Sequence, residues 1–317
     1  MPPKGTMGIV GCYGLSDQIL HLIEEDEHIR TLFLVANEEG KQFARKAKER
    51  SSHVEPVMVD QNAIRAKGKE GFSVLLWLNS EGLHDGRDID RHHREILSRI
   101  AGHVDSVLFC YGLCRSPEQR LIELKDEASV PMTFLTDLDG EIVDDCFAAV
   151  IGGKRDYLEH IMGHKHTLLA TSGYAESWRR KRERADLTSL VEEVEGLRYM
   201  FETLGYHKLL KLDDYINDGG RFDEDVRAFS QLFDLELEVK QCHSRVFEHS
   251  YALAKESMQD ESNGDSSSTT APRSMARPSC MVLKGATSEE AAMADRRAAS
   301  LNRSCLPDSG ALSRTLP

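Results

Sequence analysis

Two largely apolar runs, Phe72–Leu78 (FSVLLWL) and Val107–Cys110 (VLFC), limit what this chain can become. Segments of this kind have no polar face to turn to water, so strands built from them must be covered on both sides. Turn residues close each run: Asn79-Ser80-Glu81-Gly82 after the first and Gly112 after the second. Further strands are predicted at Met7–Gly11, Thr31–Ala36, Val54–Val59 and Pro131–Leu135, with a last one at Thr167–Ala170. Helices are predicted between them: Gln18–Glu25 behind Ser16, the polar Glu38–Arg50, Ile89–Ile100, and one opening at Pro117. In the third of these, Ile89, Ile96, Leu97 and Ile100 recur at helical spacing. Pro117 suits a first turn, where its missing N–H is no loss. Strands alternating with helices imply right-handed crossovers and an α/β fold with a doubly wound, mainly parallel, Rossmann-like sheet over residues 7–174.

Beyond this domain the text changes. Residues 175–258 read as a helical C-terminal region with a break around Tyr206–Gly220. Residues 259–317 are rich in Ser, Ala and Arg, almost without aromatic residues, and their charges cancel. Such a segment cannot bury enough apolar surface to offset its ordering entropy, so a disordered tail is expected. The formal charge of −13 therefore falls on the folded part and argues against nucleic acid or anionic membrane as partners. No apolar run approaches the ~20 residues that span a bilayer. Seven cysteines, odd in number and widely spread, do not read as a disulfide framework; a reduced, cytoplasmic setting fits them better.

In a parallel sheet, the loops leaving the carboxyl ends of the strands line the ligand crevice. Cys12 follows the first strand, His84 follows FSVLLWL, and Cys114 follows VLFC; Cys146 comes after the strand that begins at Pro131. Thiolate and imidazole are what a borderline-soft ion such as zinc prefers, so these four are the candidate metal ligands. Taken singly, each cysteine reads more readily as a small apolar filler; their shared placement at strand ends is what favours a site. Cys110, inside its run, reads as core. Tyr111, Gly112, Arg115 and Asp145 flank the candidate ligands and are the expected substrate contacts, with Arg115 able to pair with a carboxylate or phosphate. Gly11 and Gly14, around the first strand-to-helix turn, resemble part of a dinucleotide fingerprint, but the full G-x-G-x-x-G is missing and a plain tight turn is the better reading. His160, His164 and His166 read as a solvated turn more readily than as a second metal site, and the basic run Trp178–Arg182 as a salt-bridged helix.

The combination of a strand ending in Cys12, Leu83-His84, the YGLC loop Tyr111–Cys114 and Asp145-Cys146 resembles an uncharacterised family, domain of unknown function 1638, found largely in methanogenic archaea and anaerobic bacteria. Ile151-Gly152 with Tyr157 match as well. So does Thr171-Ser172-Gly173-Tyr174, where the family tends to have Thr-Pro-Gly-Trp. The resemblance runs from about Met7 to Ala254. It departs at Arg115, where glycine is usual, and at Asp137–Val143, which lacks a Pro-Arg approach to the Asp-Cys pair. What the resemblance implies is a metal site and an anaerobic setting, without a reaction. The expectation that follows is a zinc-binding protein, with methyl transfer involving a small molecule or a corrinoid protein as the reaction to test first and a homodimer as the assembly to test. The alternatives are a non-catalytic metal or cofactor carrier and a nucleotide-binding regulator.

Overall fold

A computed structural model describes residues 4–50, 52–64, 71–80, 89–114, 116–214, 216 and 220–262. Its first sheet is built from β1 (Gly5–Cys12), β2 (Ile29–Val35), β3 (Pro56–Val59), β4 (Phe72–Asn79), β5 (Ser106–Cys110) and β6 (Met132–Phe134), in the order β3-β2-β4-β1-β5-β6. Every pairing is parallel. The helices are α1 (Ser16–Glu25), α2 (Glu38–Glu49), α3 (Ile89–Ile100), α4 (Glu118–Glu127), α5 (Cys146–Ile151), α6 (Lys154–Gly163), α7 (Ser172–Arg184), α8 (Leu187–Leu204), α9 (Arg221–Phe233) and α10 (Arg245–Ser262).

Strand periodicity sorts the core into two layers. Met7 and Ile9 of β1 and Val74, Leu76 and Leu78 of β4 face a cluster filled by Ile19, Leu20 and Ile23 of α1, Phe43 of α2, and Val246, Phe247 and Tyr251 of α10. Val10 and Cys12 of β1 and Leu75 and Trp77 of β4 face the opposite layer, with Ile96, Leu97 and Ile100 of α3 and Leu121 and Leu124 of α4. The apolar runs that lack a polar face are thus covered twice, as expected. The connection after β1 runs to β2, beyond β4; the connection after β4 runs to β5, beyond β1. Their helices α1 and α3 lie on opposite faces, so the connections leaving the two neighbouring strands part at their carboxyl ends. This is the switch point at which α/β sheets open a ligand crevice.

The segment Thr167–Ala170 forms a strand but does not extend the first sheet. It is β7 of a second, three-stranded parallel sheet with β8 (Lys208–Asp213) and β9 (Glu236–Gln241), ordered β7-β8-β9. The region 175–258 is mostly helical, as its text reads, with β8 and β9 as additions. The sequence hides them because β8 carries Lys208 and Lys211 among its leucines, and β9 (ELEVKQ) keeps only half-buried or exposed side chains. One face of this sheet packs with α7, α8 and α9 around Trp178, Phe201, Phe229 and Phe233. Leu210 and Leu212 face the other way, into the core shared with α1 and α10. The His-rich turn keeps its solvated reading at His164 and His166, which are exposed, and departs from it at His160. His160 is buried and stacks on His164 with ring centroids 4.5 Å apart, while His166 turns away to the Leu204 carbonyl. Burial, with the nearby His164 and Lys240, pushes His160 down to about 4. The expected tail, apart from its first residues in α10, lies outside the described residues.

Candidate functional site

Cys12 is the last residue of β1 and stands level with Asn79, the last residue of β4, at the switch point. Its side chain is almost fully buried, and its sulfur accepts a hydrogen bond from the Gly14 N–H at 3.4 Å. One strand over, Gly11 pairs with Cys110, so the next residue, Tyr111, emerges beside Cys12. Asn79 Nδ2 donates to the Tyr111 hydroxyl at 2.8 Å, and Asn79 Oδ1 accepts from His92 Nε2 at 3.2 Å. Burial holds the Tyr111 hydroxyl well above its ordinary pKa, and negative charge on Cys12, Cys114 or Cys110 raises it further. The tyrosine is therefore kept as a neutral hydroxyl, fixed by Asn79. Cys110 itself points into the α1 layer, is fully buried and has its pKa raised by burial, which agrees with its reading as core.

After Tyr111 the chain is fastened sideways. Leu113 N–H donates to the Val143 carbonyl and Cys114 N–H to the Asp144 carbonyl, each at 2.8 Å. These bonds lay the YGLC loop along the segment that leads to Asp145 and Cys146. Gly112 is required for this approach. A Cβ there would fall 2.8 Å from Asp145 N and 2.9 Å from Asp144 C, and closer still to the Val143 carbonyl oxygen. Cys114 is left in the left-handed region at φ 44°, which a non-glycine residue occupies only at a cost. Replacing Cys114 with Gly should therefore give a protein more stable than replacing it with Ala, by about 1 kcal/mol, the reverse of the usual order. Urea denaturation of the two variants checks this; an alanine variant as stable as the glycine one would show that the loop carries no such strain.

Asp145 caps α5: its Oδ1 accepts from the Ala148 N–H at 2.9 Å and its Oδ2 from the Tyr157 hydroxyl, also at 2.9 Å. Asp145 and Cys146 each keep a partly exposed edge, yet both reacting groups are densely surrounded. Burial raises the Asp145 carboxyl despite these two hydrogen bonds. Burial also lifts the Cys146 thiol well above its ordinary value, and the neighbouring Asp145 and then Cys12 add to this. Cys12 and Cys114 pack in the layer of α3 and α4, whereas Cys146, at the start of α5, packs against the layer of α1 and α10; the YGLC loop reaches its neighbour through the Cys114 N–H bond to the Asp144 carbonyl. Among the described residues, however, no three His, Cys, Asp or Glu side chains are arranged to hold a metal. His84 and Arg115 lie outside the described residues.

The glycines of the first turn serve packing. A Cβ on Gly11 would stand 2.9 Å from Ile19 Cδ1 and 3.1 Å from Cys110 Cβ. Gly14 lies directly beneath Gly173, where a Cβ would overlap the Gly14 backbone. The start of α7 therefore covers the turn on which a dinucleotide phosphate would rest. Thr171 caps that helix through the Tyr174 N–H at 3.3 Å.

With this geometry in place, comparison with known proteins adds one finding. The profile of the family described as "Protein of unknown function (DUF1638)" matches residues 80–251, more than half of the chain. The chain belongs to that family. No curated protein and no solved structure matches it. The DUF1638 match takes in the YGLC loop, the Asp145-Cys146 pair and the Thr171–Tyr174 turn; β1 with Cys12 precedes it. Two contributors to this DUF1638 site were not read from the sequence. Asn79 was legible only as the polar end of an apolar run. His92 sits beside the buried His93, and an adjacent pair on a helix carries no signal for which of the two faces the crevice.

Proposed function

We propose that this DUF1638 protein holds a soft metal ion, zinc first, at the β1/β4 crevice through Cys12 and Cys114, with His84 from the loop after β4 and Cys146 behind them. One observation supports this above the rest: Cys12 ends β1, and Tyr111, which opens the YGLC loop carrying Cys114, emerges beside it from the neighbouring strand, while the Cys114 N–H bond to the Asp144 carbonyl ties that loop to the segment before Cys146. Thiol donors from separate strand ends suit a thiophilic ion in kind. The described residues alone do not complete a ligand set. The proposal therefore stands or falls on metal content.

If the protein is an enzyme, methyl transfer to or from a thiol or a corrinoid protein is the reaction to test first, in keeping with the anaerobic setting that the resemblance implied. A zinc ion held by thiolates lowers the pKa of a thiol bound to it, making that thiol nucleophilic near neutral pH. The chain's own part is to position and to exclude water: Tyr111, kept neutral and fixed by Asn79, offers a hydroxyl beside the thiols. Asp145 accepts from the Ala148 N–H and the Tyr157 hydroxyl and so fixes the start of α5, which carries Cys146. A four-ligand site without an open position would favour the carrier alternative. A nucleotide-binding regulator is the weaker reading, since α7 occupies the Gly11–Gly14 turn.

Metal analysis of anaerobically purified protein tests the proposal. About one ion per chain is expected in the natural protein and in Cys242→Ala. Most of it should be lost in Cys12→Ser and Cys114→Ser. Cys242 is a suitable control because it follows β9 in the second sheet, and burial pushes its thiol up to about 12. Thiolates must deprotonate to bind, so binding should release protons and weaken on acidification. A metal-free natural protein that also fails to take up added zinc, or equal loss in all three variants, would remove the metal reading.

A further inference from the structure

The second sheet has a carboxyl edge of its own, and a cavity of about 630 Å³ adjoins it. β7 leads through Thr171 into α7, and β8 leads towards α9, so the N-termini of two 13-residue helices reach this edge. Ser172, at the start of α7, and Phe222, at the start of α9, line the cavity; Arg50 and Ser52, at the end of α2, line its far side. A volume of this size is typical of small-molecule sites.

The charges of the wall are mostly satisfied among themselves. Asp17 pairs with Lys46 at 3.0 Å, Glu24 with Arg50 at 2.5 Å and Asp225 with Arg179 at 2.8 Å, and the remaining carboxylates of the wall are engaged in the same way. What is left over are donors. Arg50 Nη1 is 3.8 Å from Asp17 and makes no hydrogen bond, and the hydroxyls of Ser52 and Ser172 have no partner. Ser172 is more than nine-tenths buried. An orphaned buried polar group costs roughly 1–3 kcal/mol, and here three of them border one cavity. Helix N-termini add partial positive charge and unpaired N–H groups on the same side.

We propose that this cavity binds a small molecule through an oxyanion, a phosphate group first, with Arg50 Nη1, Ser52 Oγ and Ser172 Oγ as donors. A phosphate offers an oxygen to each of the three; a carboxylate offers two. The site is separate from the thiol-lined crevice and does not depend on a metal.

Calorimetric and thermal-shift titrations of the full chain with inorganic phosphate and with acetate, at constant ionic strength set by sodium chloride, test the proposal. Phosphate should bind saturably and raise the melting temperature. Ser172→Ala and Ser52→Ala should each weaken it by roughly tenfold. Ser172→Ala should also leave the phosphate-free protein as stable or more so, because it removes an orphaned hydroxyl; a serine with a purely structural role would lower stability when removed. Arg50→Gln should weaken phosphate most, and if loss of its Glu24 pair unfolds that variant, the two serine variants decide. Saturation by acetate but not by phosphate would support the site and identify its oxyanion as a carboxylate. No saturable effect of either anion, or unchanged phosphate binding in both serine variants, would overturn the proposal.

Discussion

Replacing Asp26 with alanine is expected to cost about 3 kcal/mol and to loosen α10 from the first sheet. The Asp26 carboxylate, just after α1, is buried and accepts from the Tyr251 hydroxyl at 2.8 Å and from Lys255 Nζ at 2.6 Å, both on α10. It also accepts from the His28 N–H at 3.1 Å. Removing it leaves a largely buried ammonium and a buried hydroxyl without their partner, which is the costly way to break a buried pair. The same group sets part of the acid response. Burial opposes its ionisation, but the Lys255 and Tyr251 hydrogen bonds more than compensate, and its pKa lies below the ordinary value. Its stabilising contribution is therefore present above the unfolded-state pKa near ~3.9 and lost as pH falls through the lower folded value. Urea denaturation between pH 7 and pH 3 should show the gap between the natural protein and Asp26→Ala narrowing at the acid end. A gap that stays constant would mean that the loss comes from packing alone.

Gly112→Ala should destabilise the fold by about 3 kcal/mol and, under the proposed metal-binding function, should abolish zinc uptake where Asp26→Ala does not. The added methyl group would meet the backbone of the segment Val143–Asp145, so no side chain can swing away to make room. Relief requires the YGLC loop to lift from the Asp144–Cys146 segment, breaking the bonds from Leu113 and Cys114 to the Val143 and Asp144 carbonyls. Thermal denaturation paired with metal analysis separates the two effects. A variant that melts early yet keeps its metal would show that Cys114 does not depend on this clamp.

The first sheet was legible because its strands are written in the simplest code. FSVLLWL and VLFC have no polar face, and only a doubly covered parallel sheet accommodates them. That Cys12 and Cys114 follow the ends of neighbouring strands, β1 and β5, comes from the same rule; Cys146 does not, because it opens α5 twelve residues past β6. Strand order was not legible: β4 inserts between β1 and β2, and nothing local records which neighbour a two-sided apolar strand selects. The second sheet escaped because β8 is short and interrupted by a buried, ion-paired Lys211, and because β9 is a polar edge. The tight fit of the YGLC loop was present only as Gly112 and read as a turn; the reason for that glycine is the backbone of Val143–Asp145, some thirty residues away.

The placement of α10 has a consequence for synthesis on the ribosome. Its side chains Val246, Phe247, Tyr251 and Ala254 complete the layer that also contains Met7, Ile9 and Leu108, and Ser106 Oγ donates to the Ala254 carbonyl. The last strand of the first sheet ends at Phe134, and α10 begins at Arg245, about 110 residues later. At translation rates of about 5–20 residues per second, the nascent sheet waits on the order of ten seconds with one apolar face incompletely covered. During that interval the emerging chain is a substrate for holding chaperones, and slowed translation anywhere between β6 and α10 prolongs its exposure to aggregation.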